Sequence, residues 1–308
     1  MTMTHNKPSP IVVTILIHGY GLNGDIEGAK AMYHKMRDLG IVPIVDTYNT
    51  LMSAYVLNHR EEEALQWYTE ILKAGLTPDQ TTFNILLSCF QRQGNDAAAM
   101  EIYKTLLDVG LMPTSHTVTA MTHLYINKKK VNDARQFQDL FFERYPNVPV
   151  TIQPHNVLMK SMSVEGDLKA MVEEFHRATQ KMNAEPTLVT FDLLIRAHAS
   201  VDLKASRRWF DLGVAMCKHT LDASIYAALM TAYKNANQPE LVRGVFREMQ
   251  AAGIKANLDV YSIMTEIGGE EGSSGQERVK ETVESRKSSD PIRLEKPKME
   301  HKKVSAVQ

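Results

Sequence analysis

One spacing constrains this chain more than any other feature: its apolar pattern returns every 35 residues. The stretch from Asp46 to Asp79, DTYNTLMSAYVLNHREEEALQWYTEILKAGLTPD, shows the unit. Tyr48, Leu51, Met52 and Tyr55 fall at helical spacing, and Ala64, Leu65, Tyr68, Ile71 and Leu72 form a second apolar stripe between Glu61 and Ala74. Gly75 stands where a left-handed residue ends a helix at least cost, and Pro78 stops any continuation. The unit reads as a helical hairpin punctuated at both ends.

A fixed period in this range means stacked supersecondary units rather than one globular core. Asn49 returns as Asn84 and Leu51 as Leu86; Ala29, Ala64, Ala99 and Ala134 are evenly spaced, as are Tyr33, Tyr68 and Tyr103, with Phe175 and Phe246 in the same role later. The closing turn returns as Gly40-Ile-Val-Pro43, Gly75-Leu-Thr-Pro78, Gly110-Leu-Met-Pro113 and a worn Gly253-Ile-Lys-Ala256. The expected fold is all-α, with about seven hairpins plus a terminal helix over residues 10–265. The repeats run about 10–44, 45–79, 80–114, 115–151, 152–187, 188–222 and 223–257, with a partial unit at 258–265. The fourth is longer, its excess lying near Tyr145 to Val150, and small length changes in the fifth and sixth belong in or beside turns. Gly24, Gly94 and Gly166 mark turns inside hairpins, with Asp25, Asp96 and Asp167 as expected N-caps of the second helices.

Composition excludes several function classes. A formal charge of −1 and a pI near 6.8 show no overall bias toward nucleic acid or membrane. From Gly268 onward the sequence is Ser-, Glu- and Lys-rich with few aliphatics, and is expected to be disordered. That tail holds nine of the 35 Lys and Arg and eight of the 36 Asp and Glu, so the repeats themselves are slightly acidic. Cys89 and Cys217 are far apart, which argues against a disulfide or a Cys-pair zinc site and for buried thiols. Residues 1–9 lack a secretory or presequence pattern. The run Ile11 to Ile17 is too short to cross a bilayer and reads as a buried first helix, so no membrane insertion is expected. An array opening at about Pro10 is also what an N-terminally incomplete sequence would show, and that would hide a presequence.

No catalysis, cofactor or metal is expected. Ile15-Leu-Ile-His18-Gly19-Tyr20-Gly21 resembles the strand and turn of α/β-hydrolases, but no Gly-x-Ser-x-Gly nucleophile turn exists, and its 35-residue register makes it helix. His116 and His123 are seven residues apart without an evident third ligand. His59-Arg60-Glu61 has no Cys-x-x-Cys in this sequence to complete a zinc site, so no zinc deaminase-like site is expected.

DTYNTLM at 46–52, TTFNILL at 81–87 and LVTFDLLI at 188–195 resemble the first helix of the pentatricopeptide repeat, and EEALQWYTEILKAGLTPD resembles its second helix and closing turn. The resemblance covers residues 10–265 and implies a right-handed α-solenoid that binds single-stranded RNA, about one base per repeat, along the first helices. It further implies a mitochondrial location and a role in RNA processing, stability or translation. In the family each base is read by a polar residue in the first helix's opening turn and by the last residue of the repeat. Here these are Asn49 with Asp79, a pair that favours uracil, Asn84 with Thr114, Thr119 with Thr151, Asn156 with Thr187, and Asp192 with Asp222. Thr14 with Ile44 and Ala227 with Asn257 complete the series. Three positions before the reading residue the family tends to be apolar, as at Ile11 and Val189, whereas Asp46, Thr81, His116, Gln153 and Ser224 depart.

Phosphate contacts would come from basic residues on the first helices: Arg92, Lys128, Lys160, Arg196 and Lys234. Solvated helix charges are the other reading of these five, and hydrogen bonding between neighbouring hairpins is the other reading of Asn49, Asn84 and Asn156. The acidic array and the irregular pairs also keep open a groove that takes a protein partner, a helix or an extended peptide.

Overall fold

The structure, a computed structural model, describes residues 8–268, so the expected disordered tail lies outside the described residues. These residues form two compact units divided after Pro186. In the first, hairpins pair α1 (Pro10–Leu22) with α2 (Ile26–Asp38), α3 (Val45–Leu57) with α4 (Glu61–Lys73), α5 (Gln80–Arg92) with α6 (Asp96–Asp108), and α7 (Ser115–Asn127) with α8 (Val131–Arg144). A fifth pairs α9 (Gln153–Glu165) with α10 (Leu168–His176), which runs on as a π-helical turn, Arg177–Lys181. The second unit holds α11 (Leu188–His198), α12 (Leu203–Met216), α13 (Ala223–Asn235), α14 (Pro239–Ala251) and the unpaired α15 (Leu258–Glu266). Among the described residues there is no strand, and no helix is long and apolar enough to cross a membrane. Each unit is a piece of α-solenoid.

Within each unit the first helices stack on one another, α1 on α3, α5, α7 and α9 in turn, and α11 on α13 and α15. Small residues permit that approach. A Cβ at Gly21 would lie 2.5 Å from that of Ala54, and Ala29, Ala64, Ala99 and Ala134 are at most 1 % exposed. The closing turns are built as expected. Gly75 sits at φ +69°, donates to Leu72 O (3.0 Å), and Leu76 N–H reaches back to Ile71 O (3.1 Å).

Several sequence expectations are corrected. The N-cap of α6 is Asn95, whose Oδ1 accepts from Ala98 N (3.1 Å), while Asp96 is already helical. In α4 Leu72 is exposed and Trp67 takes the core place, edge-on to Tyr33 at 4.8 Å. Only Val13, Ile17 and Gly21 of α1 are buried; Ile11, Val12, Ile15 and Leu16 are exposed. The fifth repeat's extra residue lies beside its closing turn, as a π-turn at the end of the second helix: Met182 N bonds Arg177 O (3.2 Å), which widens the last turn and brings Asn183 to the left-handed position that glycine takes elsewhere.

Candidate functional site

The reading positions sit at the start of the first helices, where backbone N–H groups lack helical partners. A threonine three residues into the helix solves this repeatedly. Thr47, Thr82, Thr117 and Thr190 accept from the N–H of Ile44 (3.3 Å), Asp79 (3.2 Å), Thr114 (3.0 Å) and Thr187 (3.1 Å), and all four are fully buried. The same hydroxyls link repeats. Thr47 meets Thr14 at 2.9 Å, Thr82 donates to Asn49 Oδ1 at 2.8 Å, and Thr117 lies 3.4 Å from Asn84 Oδ1. These threonines were not among the sequence candidates, although the even spacing of Thr47, Thr82 and Thr117 was there to be seen.

At the second repeat the geometry is closed. Asn49 Nδ2 donates to Asp79 Oδ1 (3.0 Å), which also accepts from Thr82 N (2.8 Å) and lies 2.9 Å from its hydroxyl. Asn49 is 4 % exposed, so only an edge of its amide meets the groove. That edge lines a cavity of about 420 Å3 with Thr14, Ile15, His18 and Asp46. A neighbouring cavity of about 500 Å3 is lined by Asn84, Ile85, Arg92 and His116, and Ser53 and Thr81 belong to both. Two of the departures from the apolar rule, Asp46 and Thr81, therefore wall the first cavity, and His116 walls the second with Thr81.

Within each unit the remaining pairs are not brought together this way. Asn84 and Thr114 share only Thr117, at 3.4 Å from each side chain. Thr119 donates to Ser115 O (2.8 Å), and Thr151 Oγ1 and Asn156 Oδ1 are buried without a partner. Thr187 belongs to the second unit, where its side chain lies 3.4 Å from the Thr190 hydroxyl. Asp192 holds Arg196 (2.8 Å), and Asp222 caps α13 through Ser224 N (2.8 Å).

Four of the five basic residues expected at phosphate face carboxylates. Arg92 donates to Val56 O (2.8 Å) and lies 3.7 Å from Glu61; Lys128 faces Asp96 (3.8 Å), Arg196 Asp192 (2.8 Å) and Lys234 Glu266 (2.7 Å). Lys160 is exposed beside His123, whose imidazole is pushed below its ordinary range by burial and then by that charge. Cys89 is buried and its thiol is pushed up to about 12 by burial, with Glu61 adding to it, so it stays a thiol. Cys217 is buried as well. Among the described residues no group of three His, Cys, Asp or Glu side chains could hold a metal ion.

A profile described as the PPR repeat family matches residues 8–56 and 43–92, and one described as the pentatricopeptide repeat domain matches 68–128 and 217–270. Together they cover more than half of the sequence. The chain belongs to the pentatricopeptide repeat family. A comparison with curated proteins finds no match. Among solved structures, this pentatricopeptide repeat chain is similar to PPR10 from maize, with a TM-score of 0.55 and 18 % identity over 88 % of this chain and 39 % of that one. It is also similar to PPR10 in complex with an 18-nt psaJ RNA element, with a TM-score of 0.50 and 17 % identity over 92 % and 46 %. The pentatricopeptide repeat chain thus spans less than half the length of either, and at these identities the likeness is one of fold.

Proposed function

We propose that this protein is a single-stranded RNA-binding adaptor without catalytic activity, acting on mitochondrial transcripts in their processing, stability or translation. The observation that carries the RNA reading is the Asn49–Asp79–Thr82 arrangement at the edge of one groove cavity, with Asn84 in the next. Thr82 and Asp79 take one acceptor site and one hydrogen of the Asn49 amide, and leave a second hydrogen for a base carbonyl. Asp79 Oδ2, unbonded among the described residues, is left to accept a base N–H directly or through water. A uracil edge, with two carbonyls flanking one N–H, complements that pattern. The solved PPR10 complex with RNA supports the reading by fold, and family membership alone supports the mitochondrial assignment.

Binding to labelled oligoribonucleotides tests it. Asn49→Ala with Asp79→Ala should weaken a uridine-containing strand by about tenfold, on the order of the 1–3 kcal/mol of one base contact, and should reduce the preference for uridine at one position. Unchanged affinity would remove the second repeat from the site. The ion pairing of Arg92, Lys128, Arg196 and Lys234 favours one other reading, a groove for a protein partner. Crosslinking in cells, with sequencing of attached RNA and mass spectrometry of attached protein, separates the two.

A further inference from the structure

The cations expected along the first helices are mostly tied to carboxylates, but the second unit gathers three more beside Arg196 at its hairpin-turn edge. Between the α11–α12 turn and the α13–α14 turn lies an open cavity of about 1100 Å3. Arg196, Lys204, Arg207 and Arg208 line it against one carboxylate, Asp202. That carboxylate is occupied in capping α12, accepting from Lys204 N (2.9 Å) and Ala205 N (3.0 Å). Arg196 is held by Asp192, and Arg207 by Asp211 (2.9 Å) and Glu248 (3.0 Å). Lys204 and Arg208 are exposed, and neither has an ion-pair partner among the described residues. They stand one turn apart on α12, where like charges repel and destabilise the helix.

The same edge in the first unit shows that this excess is particular. A cavity of about 640 Å3 there sets Lys129, Lys130 and Arg135 against Asp133, Glu165 and Asp167, three charges of each sign. The turn edge recurs; the surplus of positive charge does not.

The geometry points to the α11–α14 cavity as a binding site for the phosphodiester backbone of RNA, held by Lys204 and Arg208, an inference that rests on the RNA-binding reading. Two cations one helical turn apart offer a point charge and a planar fork to neighbouring phosphates. Tyr233, Asn235 and Gln238 add neutral hydrogen-bonding groups to the wall. An acidic peptide would meet the same charge, but the fork of an arginine beside a free lysine suits the denser charge of consecutive phosphates.

The test uses the full chain with Lys204→Ala and Arg208→Ala together, a 5′-labelled oligouridylate followed by anisotropy across a salt series, and inorganic tripolyphosphate followed by calorimetry. Two lost contacts should make the slope of log affinity against log salt shallower by about 1.4 and weaken binding about tenfold at low salt. Tripolyphosphate binding should disappear while the melting temperature holds or rises, since the repulsion between the two charges is removed. Asn49→Ala with Asp79→Ala should weaken RNA and leave tripolyphosphate binding intact. An unchanged slope together with unchanged tripolyphosphate binding would overturn the site. If the unaltered protein binds no RNA but loses tripolyphosphate binding on substitution, the RNA-binding reading falls and a polyphosphate site stands without it. Displacement by polyglutamate at lower concentration than by RNA would overturn the RNA assignment in favour of an acidic peptide.

Discussion

Glu174 shows how a single residue can carry the junction of two repeats. It is fully buried on α10, in the register that Trp67 holds in α4, and His155 Nδ1 (2.8 Å), Arg177 Nη1 (2.7 Å) and Arg135 Nη2 (2.9 Å) converge on its carboxylate. Burial alone would raise its pKa, but His155, Arg177 and Arg135 outweigh burial and hold the carboxyl below its ordinary range. Glu174→Gln should cost about 3 kcal/mol in urea unfolding at pH 7, since it takes from the partly buried Arg135 its only carboxylate among the described residues and leaves Arg177 with Asp139 alone. Because the folded carboxyl is the stronger acid, its stabilisation is complete above the unfolded value of about 4.3 and is lost as pH falls through the folded one. The gap between the two proteins should therefore hold at pH 6 and narrow below pH 4. A gap independent of pH would assign the loss to packing instead. Gly75 offers a purely conformational case: a Cβ there meets nothing within 4 Å, yet φ is +69°. Gly75→Val should lower stability by about 1–2 kcal/mol through backbone strain alone, and an unchanged melting temperature would refute that.

At the scale of elements, the two mid-helix glycines of the second unit should respond differently to the same substitution. A Cβ at Gly213 of α12 would come within 2.7 Å of Ile225 Cδ1 and 2.8 Å of Phe191 Cγ, both in fully buried side chains. One at Gly244 of α14 meets nothing within 4 Å. Alanine improves helix propensity at either site by about 1 kcal/mol, but overpacking at the first costs about 1–3 kcal/mol. Gly244→Ala should raise the urea midpoint, and Gly213→Ala should lower it or leave it level. The element scale also explains how length variation is tolerated. The fourth repeat lengthens its closing loop after Arg144, and the fifth absorbs one residue as a π-turn, so that Asn183 still arrives at the left-handed site.

For the whole molecule, the pairing of charges decides the expected salt dependence. Were all five first-helix cations engaged with phosphate, the slope of log affinity against log salt would reach about −3.5 for single-stranded RNA. With Arg92, Lys128, Arg196 and Lys234 tied to carboxylates, Lys160 with Lys204 and Arg208 should bring it near about −2. A slope of −3.5 or steeper would show that RNA displaces those carboxylates from the ion pairs.

What the sequence determined by itself was periodic. Helices, turns and their glycines follow from local propensity and a repeating apolar pattern, so Ala64, Gly75 and Pro78 announce their places without reference to any other repeat. The candidate pair Asn49 and Asp79 was legible in the same way, by register. Tertiary structure decided what meets across repeats. Thr82 closes the hydrogen bonds of Asn49, Glu61 and Asp96 face Arg92 and Lys128, and Arg135 reaches Glu174 from the preceding hairpin. It also decided which apolar residues face out, as Ile15 and Leu72 do. The physical reason is that a 35-residue spacing fixes which position a residue holds in its own hairpin, whereas burial and charge pairing depend on side chains that only stacking brings within 4 Å.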